Sequence, residues 1–170
     1  MLRSVTEFLL ADHRRLHDLL ARARAGDGVD VEAYQQLRQG LLRHIAIEEK
    51  VLFPAVRDAR GARPRWWHDL RVDHAALTSL FVPTPDLALL GEIALLLEEH
   101  DQKEEAPDGI YARCDQALSP ATSHELALRA EAFRAVRLVS NFDGPQVYRT
   151  RAAALAAAAR MKRPQDEGAA

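Results

Sequence analysis

The chain has 170 residues, which is enough for one domain with a buried core. Its 23 basic and 25 acidic residues nearly cancel, so neither nucleic acid nor a membrane surface is expected as a partner. The single cysteine excludes an internal disulfide framework and metal sites built from thiolates. The amino terminus lacks the apolar core of a signal peptide, and no apolar run is long enough to span a membrane. A cytoplasmic location is therefore expected.

The first half of the chain shows the apolar periodicity of two long helices. The first is predicted over residues 5–25 and should end at Gly26, because glycine favours the backbone conformation that closes a helix. The second is predicted over residues 30–58, with Asp30 as its N-cap. Pro54 should kink or end this helix, because proline lacks a backbone N–H.

Two further long helices are predicted in the middle of the chain. The third follows Pro64 and should end at the break formed by residues 82–85. Thr84 and Pro85 resemble an N-cap and a first-turn proline, so they should begin the fourth helix. No segment shows the two-residue alternation of a strand. Four long helices joined by short links predict an all-α, up-down-up-down four-helix bundle over residues 1–118.

Residues 119–170 are predicted to form a helical C-terminal extension. A fifth helix is expected over residues 124–139 and a sixth over 148–161, and the last residues should be frayed. The extension carries no ligand pattern. Packing on the bundle and participation in a homodimer both remain open.

One histidine lies in the middle of the apolar stripe of each long helix, and two of these histidines are followed by a glutamate four residues later. Residues four apart share a helix face, so each pair can present a nitrogen and a carboxylate in the same direction. The pattern consists of His13, His44, Glu48, His74, His100 and Glu104. A weak internal repeat supports it, since DHRRLHDLL aligns with DHAALTSLF and HIAIEEKVL with HDQKEEAPD.

A buried metal site explains this pattern better than a structural core. A single histidine on an apolar stripe is usually a hydrogen-bonded core residue. Two unpaired buried carboxylates would cost on the order of several kcal/mol, and no lysine or arginine lies on the inward stripes to offset them. Imidazole and carboxylate without sulfur suit iron, manganese or zinc, and six ligands suit two ions. The Glu-x-x-His tetrad of ferritin-type proteins and the His-Glu-x-x-His signature of zinc proteases are absent.

The stretches DHRRLHDLL, HIAIEEKVLFPAV, DHAALTSLF and HDQKEE resemble the hemerythrin-like family, also called HHE cation-binding domains, over roughly residues 5 to 118. The resemblance implies that the six residues bind a non-haem di-iron centre. Glu48 and Glu104 would bridge the irons, with an oxo or hydroxo group between them. Manganese and zinc are less favoured.

The chain departs from the oxygen-carrying hemerythrins at two ligand positions. Their second histidine on the third helix is replaced by Thr78, and their final aspartate by Glu105. These departures disfavour reversible oxygen transport. Glu104 is the preferred ligand over Glu105, because it lies closer to the helix face of His100. His17 lies four residues after the first histidine and is a candidate for a fifth nitrogen ligand, with a solvated edge position as the alternative.

Four acidic residues flank the expected ligands and leave two interpretations open. Glu49 and Glu105 could be hydrogen-bond partners of the centre or part of a solvated face. Asp12 and Asp73 could accept a hydrogen bond from a neighbouring group, or could serve only as negative charges towards the N-terminal end of their helices.

The resemblance and the ligand set lead to three functional hypotheses. The favoured one is a di-iron protein that binds or reductively processes a small oxidant, such as O2, peroxide or NO, and its status as an enzyme stays open. The alternative is an iron- or oxygen-responsive sensor or an iron-handling module without turnover. The third is a structural bundle that never binds metal.

Overall fold

The computed structural model describes residues 3–161, in which all regular secondary structure is helical. The elements are α1 (Val5–Ala23), α2 (Val31–Ile47), a π-helical turn (Glu48–Leu52), α3 (Phe53–Arg60), α4 (Trp66–Leu80), α5 (Leu87–Glu105), α6 (Ile110–Ala117), α7 (Pro120–Glu131) and α8 (Arg151–Met161). The prediction of an all-α fold is confirmed for the described residues.

Side-chain caps fix where the long helices begin. Ser4 accepts a hydrogen bond from the backbone of Glu7, whose side chain accepts one from the backbone of Ser4 in return. Asp30 caps α2 as predicted, by accepting from the N–H of Ala33. These caps satisfy N–H groups that have no partner within the helix, and so set the register that carries the inward side chains.

The predicted N-cap of the fourth long helix is wrong. Asp86, not Thr84, caps α5, by accepting from the N–H of Leu89. The hydroxyl and the backbone N–H of Thr84 instead donate to Asp143 in the C-terminal extension, at 2.6 and 2.8 Å. Thr84 is thus bound by Asp143, a residue far away in the sequence, and Asp86 caps the helix in its place.

The second long helix of the bundle is formed by α2, the π-helical turn and α3 in series. Pro54 does not end it, since helix continues to Arg60. In a regular α-helix the ring of Pro54 would clash with the carbonyl of Lys50. The wider π turn immediately before it gives the proline room. This turn begins at Glu48, one of the expected ligands.

The helices pack antiparallel, and glycine permits one close approach. Asp12 of α1 contacts His44 of α2, while Leu16 lies against Gly40. A later residue of α1 thus contacts an earlier residue of α2, so the two helices run in opposite directions. A Cβ atom at Gly40 would lie 2.8 Å from Cδ2 of Leu16, so the backbones can approach this closely only with glycine there.

Two apolar clusters lie on either side of the expected ligands. One contains Leu16, Leu41, Leu77 and Leu97, and the other contains Leu9, Val51, Leu70 and Tyr111. The expected ligands occupy the intervening positions on all four long helices. The polar residues therefore form one buried layer across the bundle, enclosed by hydrocarbon at both ends.

The C-terminal extension packs on the bundle, with α7 against α1 and α8 against α4. The fifth helix predicted over 124–139 is wrong in its bounds. Ser119 caps an earlier start at Pro120, and the helix ends at Glu131. Arg43 donates to the carbonyl oxygens of Ala130, Glu131 and Phe133, and so binds the chain where it leaves the helix.

The sixth helix begins at Arg151 rather than at Tyr148. The predicted fraying of the last residues lies outside the described residues. The division into residues 1–118 and 119–170 stays a prediction. No helix within residues 3–161 combines the length and apolarity needed to cross a membrane.

Candidate metal centre

All six residues of the histidine and glutamate pattern lie together in the buried layer. Their exposed fractions are 4% or less, and those of the two glutamates are 0%. They are His13, His44, Glu48, His74, His100 and Glu104. The inward stripe of each helix therefore presents the side chains that its periodicity predicts, although their binding to a metal stays a prediction.

Glu48 lies between His44, from the first half of the internal repeat, and His74, from the second half. Its Oε1 is 3.7 Å from Nε2 of His44, four residues earlier on the same helix. Its Oε2 is 3.2 Å from Nε2 of His74 on α4. One carboxylate thus faces two imidazoles with different oxygens, which is an arrangement that can bridge two ions.

Glu104 is the equivalent residue of the second repeat, but one oxygen of its carboxylate faces two imidazoles. Its Oε2 is 3.3 Å from Nε2 of His13 and 3.4 Å from Nε2 of His100. The side chain of Glu105 is 41% exposed and contacts His13 from the outer side of the ring. The structure thus places Glu104 inside the cluster and Glu105 at its edge, which fits the predicted preference for Glu104.

Polar atoms aimed into the cluster have no hydrogen-bond partner among the residues from 3 to 161. They are Oε2 of Glu48, Nε2 of His74, Nε2 of His100 and both carboxylate oxygens of Glu104. A buried group left unsatisfied costs about 1–3 kcal/mol, and more if it is charged. Cations placed between these atoms would satisfy all of them at once.

The donor atoms form two groups that share a glutamate. One group contains Glu48, His74, His100 and Glu104, and the other contains His13, His44 and Glu104, with all atoms of a group within 4.8 Å of one another. Nitrogen and oxygen donors without sulfur fit first-row transition metals. The buried cluster therefore fits a metal-binding site, and its two groups fit a pair of ions.

The outer nitrogen of two histidines faces an aspartate. Nδ1 of His44 lies 3.1 Å from Asp12, and Nδ1 of His100 lies 3.4 Å from Asp73. Both aspartates are buried, and Lys103 donates to Asp73 at 2.6 Å. The aspartates therefore orient the rings so that Nε2 points to the centre. Of the two interpretations that the sequence left open, the structure supports the hydrogen-bonding one.

The outer nitrogens of the other two histidines face glutamates. Nδ1 of His13 lies 2.6 Å from Glu105, and Nδ1 of His74 lies 2.9 Å from Glu49. Glu49 also accepts a hydrogen bond from Trp67 at 3.2 Å, which holds its carboxylate in place. Glu49 and Glu105 are therefore hydrogen-bond partners of the cluster rather than solvated residues alone.

The carboxylate contacts follow the internal repeat. The repeat relates Asp12–His44 to Asp73–His100, and it relates Glu49–His74 to Glu105–His13. Each histidine thus has one carboxylate beside its outer nitrogen. The centre is approximately twofold symmetric in its contacts, and the weak sequence repeat reflects this arrangement.

The carboxylates alter the ionisation of the imidazoles. Burial lowers the pKa of His13, but the facing carboxylate of Glu104 and other nearby negative charges raise it overall to about 10. Burial likewise lowers the pKa of His74, but the facing carboxylate of Glu48 and a hydrogen bond to Glu49 raise it to about 10. Burial raises the pKa of Glu48, yet the facing imidazoles hold it below its usual range. A metal ion that binds here must displace protons from these rings.

His17 lies outside the cluster that the structure brings together. Its side chain is 45% exposed, and its Nε2 lies 2.6 Å from Oδ2 of Asp101. The other oxygen of Asp101 faces Nε2 of His13 at 3.8 Å and has no hydrogen-bond partner in the described part of the chain. His17 thus reaches the centre through Asp101, and its role as a fifth nitrogen ligand stays a prediction. Sequence reasoning missed Asp101.

Tyr111 is a further residue of the centre that sequence reasoning missed. Its Oη donates to Oε1 of Glu48 at 2.6 Å and lies 3.3 Å from Nε2 of His13 and 3.5 Å from Nε2 of His44. Burial and the charges of Glu104 and Glu48 raise the pKa of Tyr111 well above its usual value, so the phenol is a donor. A buried phenol needs a polar partner, but the sequence alone does not show that Tyr111 points inward from the short helix α6.

Two surface hollows approach the centre at positions related by the repeat. One, of about 490 Å³, reaches His13 and is lined by His17, Asp101 and Glu105 among others. The other, of about 650 Å³, reaches His74 and is lined by Ile45, Glu49, Arg71 and Thr78 among others. The first hollow has the stronger cation-binding character, because Asp101 replaces Ile45 and His17 replaces Thr78.

Residues 4–135 match the family model described as hemerythrin HHE cation binding domain. The match includes α7 and so extends beyond the four long helices. Neither the curated proteins nor the solved structures include a significant match. Because the match spans most of the chain and all six expected ligands, the chain belongs to the hemerythrin HHE cation-binding domain family.

Proposed function

We propose that the protein is a non-haem di-iron protein that binds or reductively processes a small oxidant, such as O2, peroxide or NO. The observation that carries the proposal is the pair of fully buried glutamates, each facing one histidine from each repeat. Two ions that share both carboxylates would account for these contacts and for the unsatisfied donor atoms.

Iron is the ion that the donor set and the family support best. Zinc sites are usually tetrahedral and mononuclear, and they need fewer ligands than this cluster offers. Manganese suits carboxylates and imidazoles as well, but four imidazoles shift the preference towards iron. The four outer carboxylates support metal binding itself, because they increase the basicity of the coordinating nitrogens and hold them in place.

The enclosure of the centre favours a small substrate. Apolar clusters close the ligand layer at both ends, so a bulky organic molecule has no room beside the buried glutamates. A pair of irons would supply a two-electron change, which suits the reduction of peroxide, O2 or NO. The protein's own residues orient the donors, exclude bulk water and keep the phenol of Tyr111 within reach of the centre.

An iron-handling module without turnover is the second candidate. The observation that favours it is the hollow next to His13, where His17, Asp101 and Glu105 lie between the surface and the cluster. Side chains of this kind can bind a cation on its way to or from the centre. A cytoplasmic location and a homodimer both stay predictions.

Metal analysis and spectroscopy of the full chain test the proposal. After iron-replete expression, we expect about two irons per chain and an oxo-bridge absorption band. Glu48→Gln should lower the iron content and remove the band, because an amide cannot bridge two ions as a carboxylate does. Glu125→Gln, which changes an exposed glutamate on α7, is the matched control and should leave both unchanged.

Turnover separates the two candidate functions. Catalytic consumption of peroxide or NO by the iron-loaded protein, with loss of the rate in Glu48→Gln, would support the oxidoreductase. Binding of one small ligand per centre without turnover would contradict an oxidoreductase and support a protein that only binds. A protein that contains no metal after iron-replete expression would contradict both.

A further inference from the structure

We propose that the phenol oxygen of Tyr111 is a protein ligand of the ion held by His13 and His44. This inference rests on the proposed di-iron function, and it adds a seventh residue to the six of the sequence pattern. It also makes the two ions chemically different, although the other contacts of the centre follow the repeat.

The distances around Tyr111 are those of donors that share one ion. Metal–nitrogen and metal–oxygen bonds of about 2.1 Å place neighbouring donors about 3 Å apart. Nε2 of His13 and Nε2 of His44 lie 2.9 Å apart. Oη of Tyr111 lies 3.3 and 3.5 Å from these nitrogens and 2.6 Å from Oε1 of Glu48. An ion between the two histidines would therefore lie within reach of the phenol oxygen.

The surroundings of the phenol support this role over simple packing. Tyr111 is 3% exposed, and its ring stacks on His13 with centroids 5.6 Å apart. The polar atoms within hydrogen-bonding distance of its Oη all belong to expected ligands, as far as the described residues go. A tyrosine that only positioned Glu48 would have no need to approach both imidazoles as well.

The second repeat-related half of the centre offers no phenol at the matching place. There Phe53, at the start of α3, stacks on His74 with parallel rings and centroids 6.2 Å apart. Tyr111 and Phe53 thus have the same stacking role on short helices that follow the glutamate-bearing segments. The ion held by His74 and His100 would have one protein ligand fewer, so we assign the position for a small external ligand to that ion.

The coordination step conserves atoms and charge. One metal–oxygen bond forms, the O–H bond of the phenol breaks, and its proton leaves to solvent. No electron is transferred in this step. Iron(III), a hard ion, is the state expected to bind the phenolate oxygen most strongly.

The test compares three ferric, iron-loaded full-length proteins. Phenolate bound to iron(III) gives a charge-transfer band in the visible region and tyrosinate ring modes in resonance Raman spectra. We expect both in the unchanged protein, and we expect Tyr111→Phe to lose both while keeping its iron content. Tyr34→Phe is the matched control, because Tyr34 is buried away from the centre beside Phe81, and this variant should keep both signals.

Two results would overturn the inference while leaving the di-iron function intact. These are a protein with both irons but no phenolate signals, and a Tyr111→Phe variant that retains them. Absence of iron would instead overturn the proposed function and the inference with it. Gallium(III) binding to the unchanged protein gives a second readout that needs no variant. The ultraviolet difference spectrum should show one of the three tyrosines becoming phenolate, and no change would count against the inference.

Discussion

Each histidine of the centre is oriented by a carboxylate at its outer nitrogen, so single acidic residues outside the donor cluster should control metal affinity. Asp73 is the clearest case, because it is buried between His100 and Lys103. Burial raises the pKa of Asp73, but hydrogen bonds to His100 and Lys103 lower it overall, so the residue is a carboxylate at neutral pH. Its charge therefore acts on the ring of His100 under ordinary conditions.

We predict that Asp73→Asn weakens binding of iron(II) by about 10- to 100-fold, the usual effect of removing the hydrogen-bond partner of a metal-binding histidine. The amide keeps the shape of the side chain but cannot increase the basicity of the imidazole. Competition titrations with a chelator would measure the change. Asp69→Asn on the same helix is the control, because Asp69 is exposed. Equal affinities of the two variants would contradict a role for Asp73.

Helical spacing reveals some residues of the centre in the sequence and misses others. The helical period of 3.6 residues places His44 and Glu48 on one face, so both could be predicted as inward from spacing alone. Asp101 and Tyr111 could not be predicted in this way. Asp101 lies next to His100 rather than on its stripe, and Tyr111 lies on a short helix whose direction depends on the bend before it.

At the scale of elements, the close approach of α1 and α2 brings His13 and His44 within 2.9 Å of each other. Gly40 permits this approach one turn away from His44. A Cβ atom at this position would lie 2.8 Å from Cδ2 of the fully buried Leu16 and 2.9 Å from the end of Arg15. The arginine can move at little cost, but the leucine belongs to a packed core.

We predict that Gly40→Ala destabilises the protein by about 1–3 kcal/mol, the usual cost of overpacking a core. Better helix propensity of alanine would offset up to about 1 kcal/mol of this. Chemical unfolding of the metal-free protein would measure it. Gly91→Ala is the matched control, because no atom lies within 4 Å of a Cβ there, and it should be neutral or stabilising. A stabilised Gly40→Ala variant would show that the helices can separate without cost.

Element ends were harder to predict than element faces. The stripes on the four long helices persist over many residues, so errors at single positions do not change their direction. The end of a helix, in contrast, depends on the few side chains that bind its terminal N–H and C=O groups. Thr84 lost its capping role because Asp143 binds it, and the helix after Pro120 ends at Glu131, where Arg43 binds its last carbonyls. Both contacts join residues far apart in the sequence, so local patterns cannot reveal them.

Across the whole molecule, the internal repeat and the few positions that depart from it account for the organisation of the centre. The repeat places equivalent histidines, glutamates and outer carboxylates in both halves. The exceptions are the pairs Tyr111 and Phe53, and Asp101 and Ile45. The repeat could be predicted by aligning segments of the sequence. The positions at which its two halves place different side chains beside the centre could not. They lie on α6, α3 and the edges of the hollows, outside the inward stripes.

The metal-free molecule should lose stability as the solution becomes alkaline. The pKa values of His13 and His74 are raised from the ordinary 6.5 to about 10 by facing carboxylates, against the opposing effect of burial. The folded state therefore holds these protons more tightly than the unfolded state. Their contribution is fully present below pH 6.5 and is lost as the pH rises through about 10.

We predict that the melting temperature of the metal-free protein falls between pH 7 and 10, while that of the iron-loaded protein falls much less. In the loaded protein, iron replaces the protons on both rings, so raising the pH removes nothing from them. Thermal unfolding with a chelator and with iron, over a series of pH values, would measure the difference. The pKa of Glu48 lies far below this window, so its titration does not contribute. A metal-free protein equally stable at pH 7 and 10 would show that the two histidines are neutral in the folded state, and that metal binding displaces no protons from them.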